Sequence, residues 1–245
     1  MDPRQALKSF RDKSIEGHDL LRVLTSHKSW RMLAIREGEG VRPLLRVVDD
    51  ARWLQLFTDE TAFNEHISAR GEQSSGHDWV ETTGEWVFGN LSDDLAGIDI
   101  NPMLDDAIHY KKAQFPLLRD WAGLLEVERV LTEQDASKEA ASRLANGKFY
   151  IAFIQGDQGA QLALAPDPEQ KRQFAAVFTA PDAALRYTRQ ASAALKRELK
   201  LNVLAGHVLF SRLSQMPLDG IVFNCVGPTA PTAVSQDFAR AFAEE

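Results

Sequence analysis

Apolar positions recur along this chain in two rhythms. Between Trp30 and Thr58 they come as short runs, WRMLAIRE, VRPLLRVV and RWLQLFT, broken by Gly38-Glu39-Gly40 and by Asp49-Asp50. Runs of that length between turn formers predict three strands in an antiparallel meander. From Ile15 to Ser26 the leucines fall at helical spacing instead, so a helix precedes the meander. After Thr58 the pattern predicts a second helix, a strand over HDWVETT, a helix starting at Gly84 and a short strand ending at Asn101. The unit reads α-β-β-β-α-β-α-β.

The same order is written again further on. Phe57-Thr58 recurs as Phe178-Thr179 at an offset of 121 residues, each pair closing an apolar run and opening a helix-forming segment. Leu24, Lys28 and Trp30 lie over Leu144, Lys148 and Tyr150. Gly84, Phe88 and Leu91 lie over Gly206, Phe210 and Leu213, and Gly97, Ile98 and Asn101 over Gly220, Ile221 and Asn224, at offsets that drift from 120 to 123. Landmarks in one order at one period mark a tandem duplication with small loop insertions in the second copy. There a helix over Glu133 to Ala145 precedes KFYIAFIQ, AQLALAP and QFAAVFT, which are separated by Gly156-Asp157-Gln158-Gly159 and by a loop from Pro166 to Arg172. The expected fold class is α+β: two tandem modules with mixed sheets, packed as a pseudo-symmetric pair. The first module takes residues 1–105 and the second 134–245. Residues 106–133, with FPLLRDWAGLLEVERVL at helical spacing, form a helical connector.

At each Phe-Thr the Phe closes a buried strand, and the Thr is placed to cap the helix that follows. Asp59 and Glu60 put negative charge at one helix start; Pro181 and Asp182 give the other a capping-box look. Each copy then ends in Asn with Pro soon after, Asn101-Pro102 and Asn224 to Pro228. This is a turn device, because the Asn amide bonds backbone groups and Pro fixes the next φ. Asn101, Pro102, Asn224, Pro228, Thr58 and Thr179 are also the polar and turn positions the copies share, so they form the candidate binding set.

Composition narrows the functional classes. With 44% hydrophobic residues the chain can bury proper cores. Its formal charge of −7, from 35 acidic against 28 basic residues, disfavours a nucleic-acid backbone or an anionic membrane as general partner. The lone Cys225 excludes an internal disulfide, and the start Met1-Asp2-Pro3-Arg4 leads into no apolar signal region, so the cytoplasm is the expected compartment. No apolar run approaches the roughly 18 residues of a spanning helix.

Catalytic signatures are missing from the sequence. Six histidines lie without metal-ligand spacing, so no metal is expected. No Gly-rich phosphate loop or GxSxG elbow occurs, so neither cofactor nor catalytic set is assigned. Cys225 reads as an inert buried thiol, and the pairs Asp49-Asp50, Asp93-Asp94 and Asp105-Asp106 as solvated turn carboxylates. Where the first copy has Asp59, Glu85 and Asp99, the second has Ala180, His207 and Val222, so what is duplicated is scaffold. All five tryptophans precede the second copy. Any that stand exposed are natural anchors for a protein partner.

The order Phe57-Thr58-Asp59-Glu60, Gly84-Glu85, Asn101-Pro102 resembles the N-terminal domain of SseB-family proteins, whose name is tied to enhanced serine sensitivity and to type III secretion. The second copy keeps Phe178-Thr179, Gly206 and Asn224 but loses the Asp-Glu and the tight Asn-Pro. The resemblance implies a bacterial cytoplasmic α+β module without a settled enzymatic activity, and it supplies no catalytic residues. The leading expectation is a non-enzymatic protein-binding or scaffold module, monomeric or homodimeric, with a protein partner. Two alternatives stand beside it: a small-molecule sensor or enzyme with one cleft between the modules, and a secretion-associated chaperone or component.

Overall fold

The chain's first helix begins where a carboxylate meets a free amide. Asp2 accepts a hydrogen bond from the Gln5 N–H at 3.0 Å, Pro3 occupies the first turn, and α1 runs Pro3–Arg11. The sequence pattern, which starts the architecture at Ile15, does not show this helix; it buries only Pro3, Ala6 and Leu7. The computed structural model describes all residues except 38–39, 71–77, 134–137, 157–158, 166–171, 227–229 and 243–245. The expected turns at Gly38-Glu39 and Asp157-Gln158, most of the 166–172 loop and Pro228 therefore lie outside the described residues.

By its internal contacts the chain divides into two compact units, Met1–Leu125 and Glu126–Glu245. In the first, α1 is followed by α2 (Gly17–Ser26), β1 (Trp30–Glu37), β2 (Gly40–Pro43), β3 (Leu45–Val48), β4 (Ala51–Phe57), α3 (Glu60–Ala69), β5 (Asp78–Thr82), α4 (Gly84–Gly89), β6 (Gly97–Ile100) and β7 (Ile108–Lys111). A single 3-10 turn, Lys112–Gln114, leads into α5 (Phe115–Glu133), within which the chain crosses to the second unit. There it forms α6 (Lys138–Asn146), β8 (Lys148–Gly156), β9 (Gly159–Leu162), β10 (Phe174–Phe178), α7 (Pro181–Leu195), β11 (Leu199–Ala205), α8 (Gly206–Ser214), β12 (Gly220–Phe223), β13 (Thr232–Ser235) and α9 (Gln236–Ala241).

The fold is α+β with two mixed sheets of seven and six strands, and the sheets repeat one topology. The path β1-β4-β6-β7, with β2 and β5 both on β1, matches β8-β10-β12-β13, with β9 and β11 both on β8; in each, one parallel pair (β4 with β6, β10 with β12) sits among antiparallel ones. The expected three-strand meander is modified in the same way in both. β1 touches β4 only at Arg31–Met32 against Leu56–Phe57; beyond that the two diverge, β1 pairing with β2 and β4 with β3. VRPLLRVV is thus two strands, and Pro43, with no N–H to give a ladder, ends the first. The chain reverses at Leu44, whose N–H donates to Leu33 O at 2.9 Å, as Ala163 N–H does to Ala152 O at 2.9 Å.

These registers correct one alignment. Arg31 faces Phe57 as Tyr150 faces Phe178, so the counterpart of Trp30 is Phe149, one residue earlier than the sequence overlay puts it. The cores agree: Trp30 packs edge-on to Phe88, and Phe149 to Phe210, at centroid separations of 5.9 and 5.6 Å. Beside each pair the chain approaches a neighbouring helix end so closely that only glycine fits. A Cβ on Gly84 would stand 2.4 Å from Leu24 O, and one on Gly206 1.7 Å from Leu144 O.

The connector is likewise more than a connector. Its first residues form β7, which pairs with β6 and alternates Ile-His-Tyr-Lys, a period of two that a helical reading overlooks. In α5, Phe115, Leu118 and Trp121 are buried in its first half, while Val127, Val130 and Leu131 join the core of the second unit. That last trio repeats the spacing of Pro3, Ala6 and Leu7, so the second half of α5 is the second copy's α1.

Candidate functional site

In each unit the Phe-Thr landmark and the Asn landmark meet. Parallel pairing sets the end of β4 beside the end of β6, and the Asn101 N–H donates to Leu56 O at 2.9 Å, carrying the ladder one residue past the strand. Its side chain turns back to the Thr58 backbone. Oδ1 accepts from Thr58 N–H at 3.0 Å, and Nδ2 donates to Thr58 Oγ1 at 3.1 Å. In the second unit Asn224 N–H donates to Val177 O at 2.8 Å, Oδ1 accepts from Thr179 N–H at 3.0 Å, and Nδ2 donates to Thr179 Oγ1 at 2.9 Å. Both Asn residues have positive φ, 47° and 53°, a region Asn tolerates better than most residues.

This clasp corrects the capping expectation. α3 is capped by Asp59, which accepts from Ala62 N–H at 2.7 Å, and α7 starts at Ala180 with no side-chain cap. The Thr hydroxyls face the Asn amides. Thr58, Asn101, Thr179 and Asn224 are each under 5% exposed, and Pro102 is buried too, its carbonyl accepting from His66 Nδ1 at 2.8 Å. The structure brings five of the six expected binding residues together in two equivalent clusters and uses their polar groups to join strand ends.

A carboxylate backs each clasp. Asn101 Nδ2 donates to Asp106 Oδ2 at 3.2 Å, and Arg4 Nε donates to the same oxygen at 3.0 Å while also pairing with Glu65. In the second unit Glu128, at the place on α5 that matches Arg4 on α1, accepts from Thr179 Oγ1 at 2.6 Å and from Asn224 Nδ2 at 3.3 Å. Asp106 is therefore no solvated turn residue: it is 2% exposed. It also borders a cleft of about 400 Å³ in the first unit, walled by Leu7, Phe10, Ile15 and Ile108 with Arg11 and Lys13.

Beyond the clasps stand groups with more open chemistry. Asp99 on β6 accepts from Arg46 Nη1 at 3.1 Å and lies 2.6 Å from His109 Nδ1. Burial pushes the Cys225 thiol up to about 11, as befits an unreactive cysteine, and the Tyr187 phenol up to about 12, with the Cys225 charge adding to it. Of the tryptophans, Trp30 and Trp121 are buried whereas Trp86, on α4, is 56% exposed.

No family model matches the chain, and neither does any curated protein. Among solved structures it is similar to Anabaena Tic22 (protein transport), at 9% identity and a TM-score of 0.25 over 83% of this chain and 88% of that one. A score that low carries no argument about fold or function.

Proposed function

We propose that the chain is a non-enzymatic protein-binding module of the cytoplasm, two SseB-like modules in tandem whose duplicated residues hold the frame and whose copy-specific surface does the binding. The observation that carries this reading is Trp86. α4 turns Val87 and Phe88 into the core and leaves the Trp86 ring 56% exposed, while Thr83 Oγ1 accepts from its N–H at 3.2 Å and fixes the turn that presents it. A large rigid aromatic held out on an anchored helix loses little entropy on burial in a partner, which is why Trp is enriched among interface hot spots. The shared Thr and Asn residues, being buried, are withdrawn from that role.

The test is capture from lysate by the tagged chain, wild type beside Trp86→Ala. The substitution removes an exposed side chain and leaves the melting temperature within a degree or two of wild type. A partner held by wild type and lost by the variant supports the reading; no retained partner, or an unchanged set, sinks it. The cleft beside Asp106 favours a second reading, a small-molecule sensor, in which a metabolite raises the melting temperature of both proteins equally.

A further inference from the structure

One face of the first sheet carries chemistry that its twin lacks. Asp99 and His109 are cross-strand partners on β6 and β7, and Gln55 lies beside Asp99 on β4, so their side chains share a face. The Asp99 side chain is 3% exposed, yet the two groups it holds reach solvent, Arg46 at 46% and His109 at 57%. An ionised carboxylate only accepts, so His109 Nδ1 carries the hydrogen of the 2.6 Å bond and the ring turns Nε2 away from Asp99. Arg46 gives Asp99 one Nη1 hydrogen bond, which fixes a planar fork with further donors.

The strand registers show what stands in these places in the second unit. Leu45 on Leu54 corresponds to Leu164 on Ala175, and Asp99 on His109 to Val222 on Ala233. Arg46, Asp99 and His109 thus become Ala165, Val222 and Ala233. Ala165 and Val222 belong to an apolar cluster with Ala183, Ala184 and Tyr187 of α7, a helix of 15 residues where α3 has 10. The same sheet face is an apolar helix seat in one copy and a polar, solvent-reaching surface in the other.

We infer that this face of the first unit is a binding site for an oxyanion, a phosphate or a carboxylate, held between the Arg46 guanidinium and the His109 imidazolium, the ring form in which Nε2 carries a hydrogen to donate while Nδ1–H stays on Asp99. Asp99 is the positioning residue, since it takes rotamer freedom from both donors before the anion arrives. Lys111, two residues along β7 and exposed, adds positive field on the same face. The strands beneath give a rigid base. The site is separate from the Trp86 surface and stands or falls independently of it.

The experiment follows the His109 ring and Arg46 Nε–H signals by NMR during titration with sodium phosphate, phenyl phosphate and sodium benzoate, each against sodium chloride at equal ionic strength. Saturable shifts are expected at both groups. Arg46→Ala should weaken the apparent Kd by about tenfold or more, as loss of charge-assisted bonds implies. Saturation with the phosphates alone assigns the site to phosphoryl compounds, and with benzoate alone to carboxylates. Equal shifts with chloride, or an unchanged Kd in both Arg46→Ala and His109→Ala, overturn the proposal.

Discussion

Cys225 shows how a single side chain reports its surroundings. Its thiol is raised from 9.0 to about 11 and the Tyr187 phenol from 10.0 to about 12, in both cases chiefly by burial. A raised acid pKa means that folding favours the neutral form. The contribution is complete below pH 9 and lost as pH climbs through about 11 to 12, because the unfolded chain ionises first. Denaturation midpoints measured from pH 8 upward should therefore fall beyond pH 9, and Cys225→Ala should flatten the first part of that fall. A native thiol that reacts with a maleimide at pH 7.5 as fast as free cysteine would contradict this account. The apolar neighbours that raise the thiol were legible in the sequence, although Cys225 itself is half-buried and not fully buried as expected. The role of Thr58 was not legible: local rules make a Thr at a strand-helix junction a cap, but Asp59 takes the cap and Asn101, 43 residues later, takes the Thr. Competition between a local and a distant partner leaves no local trace.

Elements whose character is set by neighbours in sequence were readable; those set by distant pairing were not. β1, β4, β8, β10 and the helices opening at Gly84 and Gly206 stand where the patterns put them, because apolar runs between turn formers have few other ways to be buried. Missed were α1, β7, β13 and α9, each nine residues or fewer. β7 and β13 exist because β6 and β12 each offer an edge to pair with. The Gly positions do have a distant cause that duplication exposes. Gly206→Ala would push a Cβ to 1.7 Å from the Leu144 carbonyl oxygen, a backbone atom that cannot step aside, so α6 and α8 must separate. The variant is expected to lose roughly 3 kcal/mol or more in denaturant unfolding, or not to fold at all. A loss under about 1 kcal/mol would show that the helix ends are not held so tightly.

Across the whole molecule the duplication separates frame from function. What the copies share, the Thr-Asn clasps, the glycines and the aromatic pairs, is buried; what the first copy alone has, Trp86 and the Arg46-Asp99-His109 face, reaches solvent or serves groups that do. The pairing of two like sheets was visible in sequence; that α5 runs unbroken while its two halves belong to different cores was not, because each half is helical by pattern alone. One clasp, made twice, closes each unit. Amide hydrogen exchange at Thr58 and Thr179 tests it most directly. Both amides are buried donors to Asn side chains and should exchange among the slowest in their units. Asn101→Ala leaves the Thr58 amide without its acceptor, a loss of roughly 1–3 kcal/mol, and should speed its exchange about tenfold or more; Asn224→Ala should do the same at Thr179. Thr amides that exchange like exposed loops in the wild type, or that ignore the loss of their Asn, would contradict the account.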